Sequence, residues 1–209
     1  LTTIKGFGEM FGSGMITKED DVAKYGAMIE RESERLLFLI NDIIRLSEIE
    51  EHTEMLNTPV DLAAAAGNAL QILEPQIQRN RIQVHLEGRC LLLHSNEGYM
   101  RELFINLIDN AIKYNVDGGR VDIAVASGTD GSSITVADTG IGIAPEHQGR
   151  VFERFYRVDK SRSKETGGTG LGLSIVKHAA AWHHASLEAE SVPDKGTRIT
   201  IIFDGKGGE

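Results

Sequence analysis

Gly167–His178 reads GGTGLGLSIVKH. Four glycines crowd its first six residues, and a run with helical periodicity follows at once. Glycine loses more conformational freedom on folding than any other residue, so it is kept where backbone bends sharply or passes close to something. The first turn of a helix carries unpaired N–H groups at the positive end of the helix dipole. Glycines just ahead of such a turn therefore suit a bound anion such as a phosphate. A flexible loop leading into a helix reads the same way on this stretch alone.

The segments on either side of this run alternate between strand and helix. SLEAES and GTRITIIF follow as two closing strands around the turn PDKG. Upstream, VDIAVAS and SSITVAD form a hairpin around GTDG, and RIQVHLEG alternates as another strand, with a short one at Leu91–His94. A strongly periodic helix covers Glu97–Asn115, and a second runs from Val60 to about Asn80 despite Pro75. The last helix is expected over Gly170–His184. Between Gly140 and Thr169 no strand pattern appears, and a stretch that long in a folded domain is functional or mobile. Residues 58–206 thus read as a domain with helices on one face of a mixed, mainly antiparallel sheet.

The N-terminal part is different. Ile4, Phe7 and Phe11 mark a first helix that stops at Gly12 and Gly14. A long second helix runs to about Glu50, with Val22, Ile29, Leu36 and Ile43 recurring at every seventh position. Residues 1–52 are a helical hairpin. Its apolar surface exceeds what two helices bury, so a dimeric four-helix bundle is expected. The fold class is α+β: half of such a bundle, followed by an α/β sandwich.

Composition narrows the function. The 209 residues carry a net charge of −9, which argues against a nucleic-acid partner. The single Cys90 excludes an internal disulfide and a multi-cysteine zinc site. The longest apolar runs, such as LLFLI at Leu36–Ile40, are too short to span a bilayer, and no membrane contact is expected of this stretch. The start at Leu1 reads as a fragment of a longer protein.

Three further segments stand in order before the glycine run: NLIDNAIKY at Asn106–Tyr114, DTGIGI at Asp138–Ile143 and FERFYR at Phe152–Arg157. Asn106 and Asn110 share one helix face, where amide oxygens suit magnesium or simply satisfy nearby backbone. Lys113, one turn further on, suits a phosphate or the solvent. Asp138 closes a strand; a carboxylate in a glycine-walled pocket accepts a hydrogen bond from an exocyclic amino group and repels a carbonyl. An aspartate before such a turn is also ordinary turn chemistry. No GxxxxGK[ST] loop is present.

Taken together these segments resemble the ATP-binding domain of sensor histidine kinases, within the gyrase/chaperone/kinase/mismatch-repair ATPase superfamily. NLIDNAIKY looks like the N box, DTGIGI the first glycine box, FERFYRVD the F box and GGTGLGLSIVKH the second glycine box. IKGFGEM and the helix ending NDIIRLSEIE resemble the dimerisation and phosphotransfer hairpin. The resemblance implies ATP and Mg²⁺ as cofactors. Asn110 would hold the metal with Asn106 beside it, Lys113 would reach the phosphates, and Tyr114 would pack near the adenine. Asp138 would read the adenine amino group within a loop that includes Gly140, Gly142 and Ile143. Gly168, Thr169, Gly170, Leu171, Gly172 and Leu173 would wrap the phosphates. Residues 145–169 would be a mobile lid, with Tyr156 and Arg157 over the nucleotide. Asn106, Lys113 and Arg157 would serve the transfer itself, Arg157 by stabilising charge on the γ-phosphoryl group. ATP-hydrolysing relatives are similar but have glutamate at the position of Asn106, and an amide is no general base.

The resemblance also implies a phosphoacceptor histidine a few positions ahead of Leu1; none of the seven histidines present takes that place. Its product would serve an aspartate of a response-regulator receiver domain. A homodimer through the hairpin is expected, weakened by the shortened first helix, in the cytoplasmic portion of an inner-membrane protein. The alternative is a non-catalytic nucleotide-binding or dimerisation module.

Overall fold

The computed structural model describes residues 2–51, 58–128, 131–158 and 169–204. By its contacts the chain divides into two units, residues 1–47 and 48–209. The expected junction at 53–57 lies outside the described residues.

In the first unit, α1 (Thr2–Gly12) and α2 (Glu19–Glu51) form a hairpin in which the Phe7 and Tyr25 rings meet at 5.1 Å. Of the heptad positions Val22 and Ile43 are exposed within one chain and Ile29 and Leu36 half-buried; Leu37, Ile40 and Ile44 of the same helix are exposed as well.

In the second unit, alternation builds the sheet. Val121, Ile123 and Val125 of β4 (Arg120–Gly128) are buried, as are Ile134 and Val136 of β5 (Gly131–Asp138). Together with β2 (Gln83–Gly88), β6 (Ser186–Val192) and β7 (Gly196–Asp204), they form a five-stranded sheet in the order β2-β4-β5-β7-β6. Only the β2–β4 pair is parallel. One face is covered by α3 (Leu62–Arg79), α4 (Glu97–Lys113) and α6 (Gly172–Trp182). Leu103, Phe104, Leu107 and Ile108 of α4 are essentially inaccessible and centre the core. The architecture is α+β, with a mixed, mainly antiparallel sheet.

Three local features depart from expectation. Thr58–Asp61 is a strand, β1, paired antiparallel with β3 (Leu92–Ser95) from Thr58↔Ser95 to Asp61↔Leu92. Helix α3 therefore starts at Leu62, not Val60. Asp61 caps it, accepting from the N–H of Ala63 at 3.0 Å and Ala64 at 3.4 Å. Pro59 fits a short two-stranded ribbon because it has no ladder proton to lose. Within the irregular stretch a short helix, α5 (Pro145–Gln148), opens on a proline at its first turn.

The third departure ends α6 two residues early. His184 has φ +53, the Ala185 N–H donates to the Ala180 carbonyl at 2.9 Å, and the His184 N–H donates to the Ala181 carbonyl at 3.0 Å. This is a Schellman cap with histidine where glycine is favoured. His184 is exposed, so its side chain adds little packing. His184→Gly should raise stability by about 1 kcal/mol in denaturant titration, the cost of a left-handed non-glycine residue.

Candidate functional site

The four motifs converge at one edge of the helix layer. Asp138 ends β5, half-buried. Its Oδ1 accepts from the Gly140 N–H at 2.8 Å and from the Thr197 N–H of β7 at 3.3 Å. Burial pushes the carboxyl pKa up, and these two N–H donors pull against it. The turn that follows is seated on the end of α4, where the Ile141 N–H donates to the Tyr114 carbonyl at 3.0 Å.

The glycines of this turn are required by the chain itself. A Cβ on Gly140 would fall on the Tyr114 carbonyl oxygen. One on Gly142, at φ +65, would fall on the Val192 carbonyl. Ile143 is tied to the same β6 end, its N–H donating to Ser191 Oγ at 2.7 Å. Gln148 of α5 donates to the Ile143 and Ser191 carbonyls at 2.9 and 2.7 Å, which anchors the start of the irregular segment.

On α4, Asn106 is half-buried. Its Nδ2 donates to the Glu102 carbonyl at 2.8 Å, which points its oxygen elsewhere. That oxygen adjoins the first residue of α6: a Cβ on Gly172 would lie 2.9 Å from Asn106 Oδ1. The N box and the glycine run therefore touch. Asn110 sits one turn along the same face, also half-buried. Lys113 is not directed at the glycine run but is ion-paired along its own helix, its Nζ 2.5 Å from Asp109 Oδ2. Tyr114 caps α4 and is partly exposed.

The F box meets the glycine run from the other side. The Phe155 N–H donates to the Gly170 carbonyl at 2.9 Å, and both residues are left-handed, at φ +62 and +77. Tyr156 is held by its hydroxyl, 2.7 Å from His147 Nδ1, and by the Arg150 guanidinium 4.3 Å over its ring. Arg157 follows, half-buried. The Leu171 N–H donates to Thr169 Oγ1 at 3.2 Å, and the fully buried Leu171 pins the start of α6, with Leu173 packed at the core's edge. Among the described residues no side chain of the N-cap position caps α6, so its opening amides suit an anion. Gly168 lies outside the described residues.

Sequence reasoning missed Thr197 and Gly196. The signal was present, because a Gly-Thr pair follows the turn PDKG. A Cβ on Gly196 would fall on the Asp138 carbonyl, so this turn is what brings the Thr197 N–H to the carboxylate.

Among the described residues, no group of three His, Cys, Asp or Glu could hold a metal ion. Magnesium takes oxygen donors, keeps several waters and leans on substrate phosphates, and the amide oxygens of Asn106 and Asn110 on α4 are donors of that type.

Comparison with known proteins gives a consistent picture. Residues 95–206 match the family described as histidine kinase-, DNA gyrase B-, and HSP90-like ATPase. The sensor histidine kinase RppB of Synechocystis is 42% identical over 180 residues, covering 83% of this chain and 39% of that protein. The phosphate regulon sensor protein PhoR of Pseudomonas aeruginosa is 40% identical, covering 84% of this chain and 40% of that protein. The chain thus spans about two fifths of the length of these relatives. Among solved structures, the histidine kinase ThkA in complex with the response regulator protein TrrA superposes with a TM-score of 0.76. That match covers 97% of this chain and 57% of that one at 20% identity, a likeness of fold.

Proposed function

The chain belongs to the histidine kinase-, DNA gyrase B- and HSP90-like ATPase family, and from that premise we propose that it is the catalytic core of a sensor histidine kinase. It binds Mg-ATP and presents the γ-phosphoryl group to a histidine, from which an aspartate of a response regulator receives it. The observation that carries this reading is the pairing of Asp138, held by two backbone N–H groups, with the start of α6, whose N-cap residue Leu171 supplies no side-chain cap and where Gly172 stands against Asn106.

In this reading Asp138 accepts from the adenine amino group, and Tyr114 lies beside the base. Asn110 holds the metal, which when bound draws charge from the phosphate oxygens. Asn106 stands beside the metal and cannot act as a base toward water, so ATP is kept for a phosphoacceptor. The amides of Gly170, Leu171 and Gly172 receive the phosphates, that of Leu171 by exchanging Thr169 Oγ1 for a phosphate oxygen. Lys113 exchanges Asp109 for a phosphate oxygen when nucleotide enters. Tyr156 and Arg157 lie in the lid, and Arg157 offsets charge on the transferring group. The hairpin forms a homodimer, which is supported by the exposed Val22, Ile40 and Ile43. No helix among the described residues is long and apolar enough to cross a membrane. We place this stretch in the cytoplasmic portion of a membrane-anchored sensor.

The test is transfer in trans. The chain is incubated with γ-labelled ATP and a histidine kinase that keeps its acceptor histidine but has a disabled ATP site. Label on the partner is expected; ATP binding without any transfer would favour a non-catalytic module. Asn110→Ala tests the metal role. ATP affinity measured by calorimetry should fall at least about tenfold in magnesium, as expected for a lost ligand, and change little in EDTA. Equal losses in both buffers would remove Asn110 from the metal.

A further inference from the structure

Helices α4 and α6 run antiparallel. Near the proposed phosphate site, Gly172 adjoins Asn106. At the other end, Trp182 meets Tyr99 edge-on at 6.2 Å, and His183 Nε2 lies 2.9 Å from Ser95 Oγ. Ser95 is fully buried and immediately precedes Asn96, the N-cap of α4. His183 is the C-cap of α6.

The imidazole is fixed from several directions. Its ring stands edge-on to Trp182 at 4.5 Å and to Phe203 of β7 at 5.5 Å. The Schellman cap described above fixes its backbone. Burial, and secondarily the neighbouring His184, lower its pKa to about 4, so the ring is neutral at physiological pH and the bond joins two neutral groups.

Between the two ends the buried surface of both helices is mainly apolar. On the α6 side it includes the small residues Ala179 and Ala180, and apolar burial is non-directional. A hydrogen bond is directional, and one between buried groups is costly to leave unmade. Slippage of one residue along a helix is about 1.5 Å, enough to carry an amide out of reach of a phosphate oxygen.

We propose that Ser95 and His183 form a clasp that sets the register of α4 against α6, and so holds Asn106 opposite the first amides of α6. Both are positioning residues for the phosphate end of the nucleotide site. This rests on the ATP reading above. The clasp acts on the phosphates and not on the base, because α4 is tied at its far end to the turn after Asp138, where the Ile141 N–H donates to the Tyr114 carbonyl, and it is α6 that a lost clasp frees.

The discriminating measurement is the ratio of ATP to adenosine affinity, by NMR titration with magnesium present. Ser95→Ala removes the hydroxyl with the smallest disturbance. His183→Phe keeps a ring against Trp182 and Phe203 and loses the bond. In each variant ATP affinity should fall about five- to tenfold while adenosine affinity stays at the parent's value. The double variant should lose no more than the worse single one, since the residues act as a pair. A ratio unchanged from the parent in Ser95→Ala, whether both affinities hold or both fall together, would overturn the clasp and leave the ATP reading intact. A parent chain that binds neither ligand would overturn the ATP reading and the clasp with it.

Discussion

Asp138→Asn should reduce ATP affinity by about 10²- to 10³-fold, the scale on which a site built around one polar partner rejects its loss. The fold should survive. Asparagine keeps an oxygen in the place of Oδ1, so the bonds from Gly140 N–H at 2.8 Å and Thr197 N–H at 3.3 Å have an acceptor still. What changes is the other arm, which becomes a donor facing the adenine amino group. Calorimetry of ATP binding beside a melting curve separates the two effects. The variant should also lose discrimination against inosine triphosphate, whose carbonyl replaces the amino group.

The same residue fixes a pH signature. Because burial raises the Asp138 pKa above its ordinary 3.8, between pH 3.8 and the folded value the folded chain holds a proton there that the unfolded chain has released. Its protonated form favours the fold fully below pH 3.8, and that contribution is lost as pH rises through the folded value. Asp138→Asn should remove this loss, so the variant is at least as stable as the parent near neutrality. A variant that binds ATP as tightly as the parent would take Asp138 out of the adenine pocket, and one that melts well below the parent would overturn the stability argument.

Much of the sheet was legible because alternation is a direct record of a half-buried strand. Val121, Ile123 and Val125 face the core, and the residues between them do not. The helices were legible in type but not at their ends. Helix α3 is capped by Asp61, a signal that the alanine run following it obscures. Strand β1 is short, contains Pro59 and pairs with β3, more than thirty residues away, and nothing local marks it. In the site, the motif residues stood out by type. Their partners did not. Thr197 contributes a backbone N–H, which every residue except proline possesses. The spacing of Lys113 suits a phosphate, while in the structure Asp109, four residues earlier, takes its ammonium. Ser95 and His183 lie 88 positions apart, and only the antiparallel helix pair brings them together.

The junction of the F box and the glycine run yields the second large effect. Gly170 has φ +77, and a Cβ there would lie 2.9 Å from the Phe155 carbonyl carbon and 3.0 Å from its Cα. Both obstacles are backbone, so no rotamer relieves them. Phe155 cannot easily withdraw: it donates to the Gly170 carbonyl at 2.9 Å, and the next residue, Tyr156, is tied to His147 at 2.7 Å. Gly170→Ala must therefore push the F box away from α6 or turn the first amides of α6 out of place. A left-handed alanine and its contacts cost about 1–3 kcal/mol. That strain falls beside the phosphates, where a displacement of about 1 Å costs on the order of 10²-fold in rate. Transfer of label from ATP to an acceptor histidine should fall by that factor or more, with melting displaced only modestly because the core lies elsewhere. Gly149→Ala is the control within the same irregular segment, since Gly149 has φ −69 and nothing within 4 Å of a Cβ. It should transfer label as the parent does. Equal behaviour of the two variants would mean that the contact between Phe155 and Gly170 has no part in holding the phosphates.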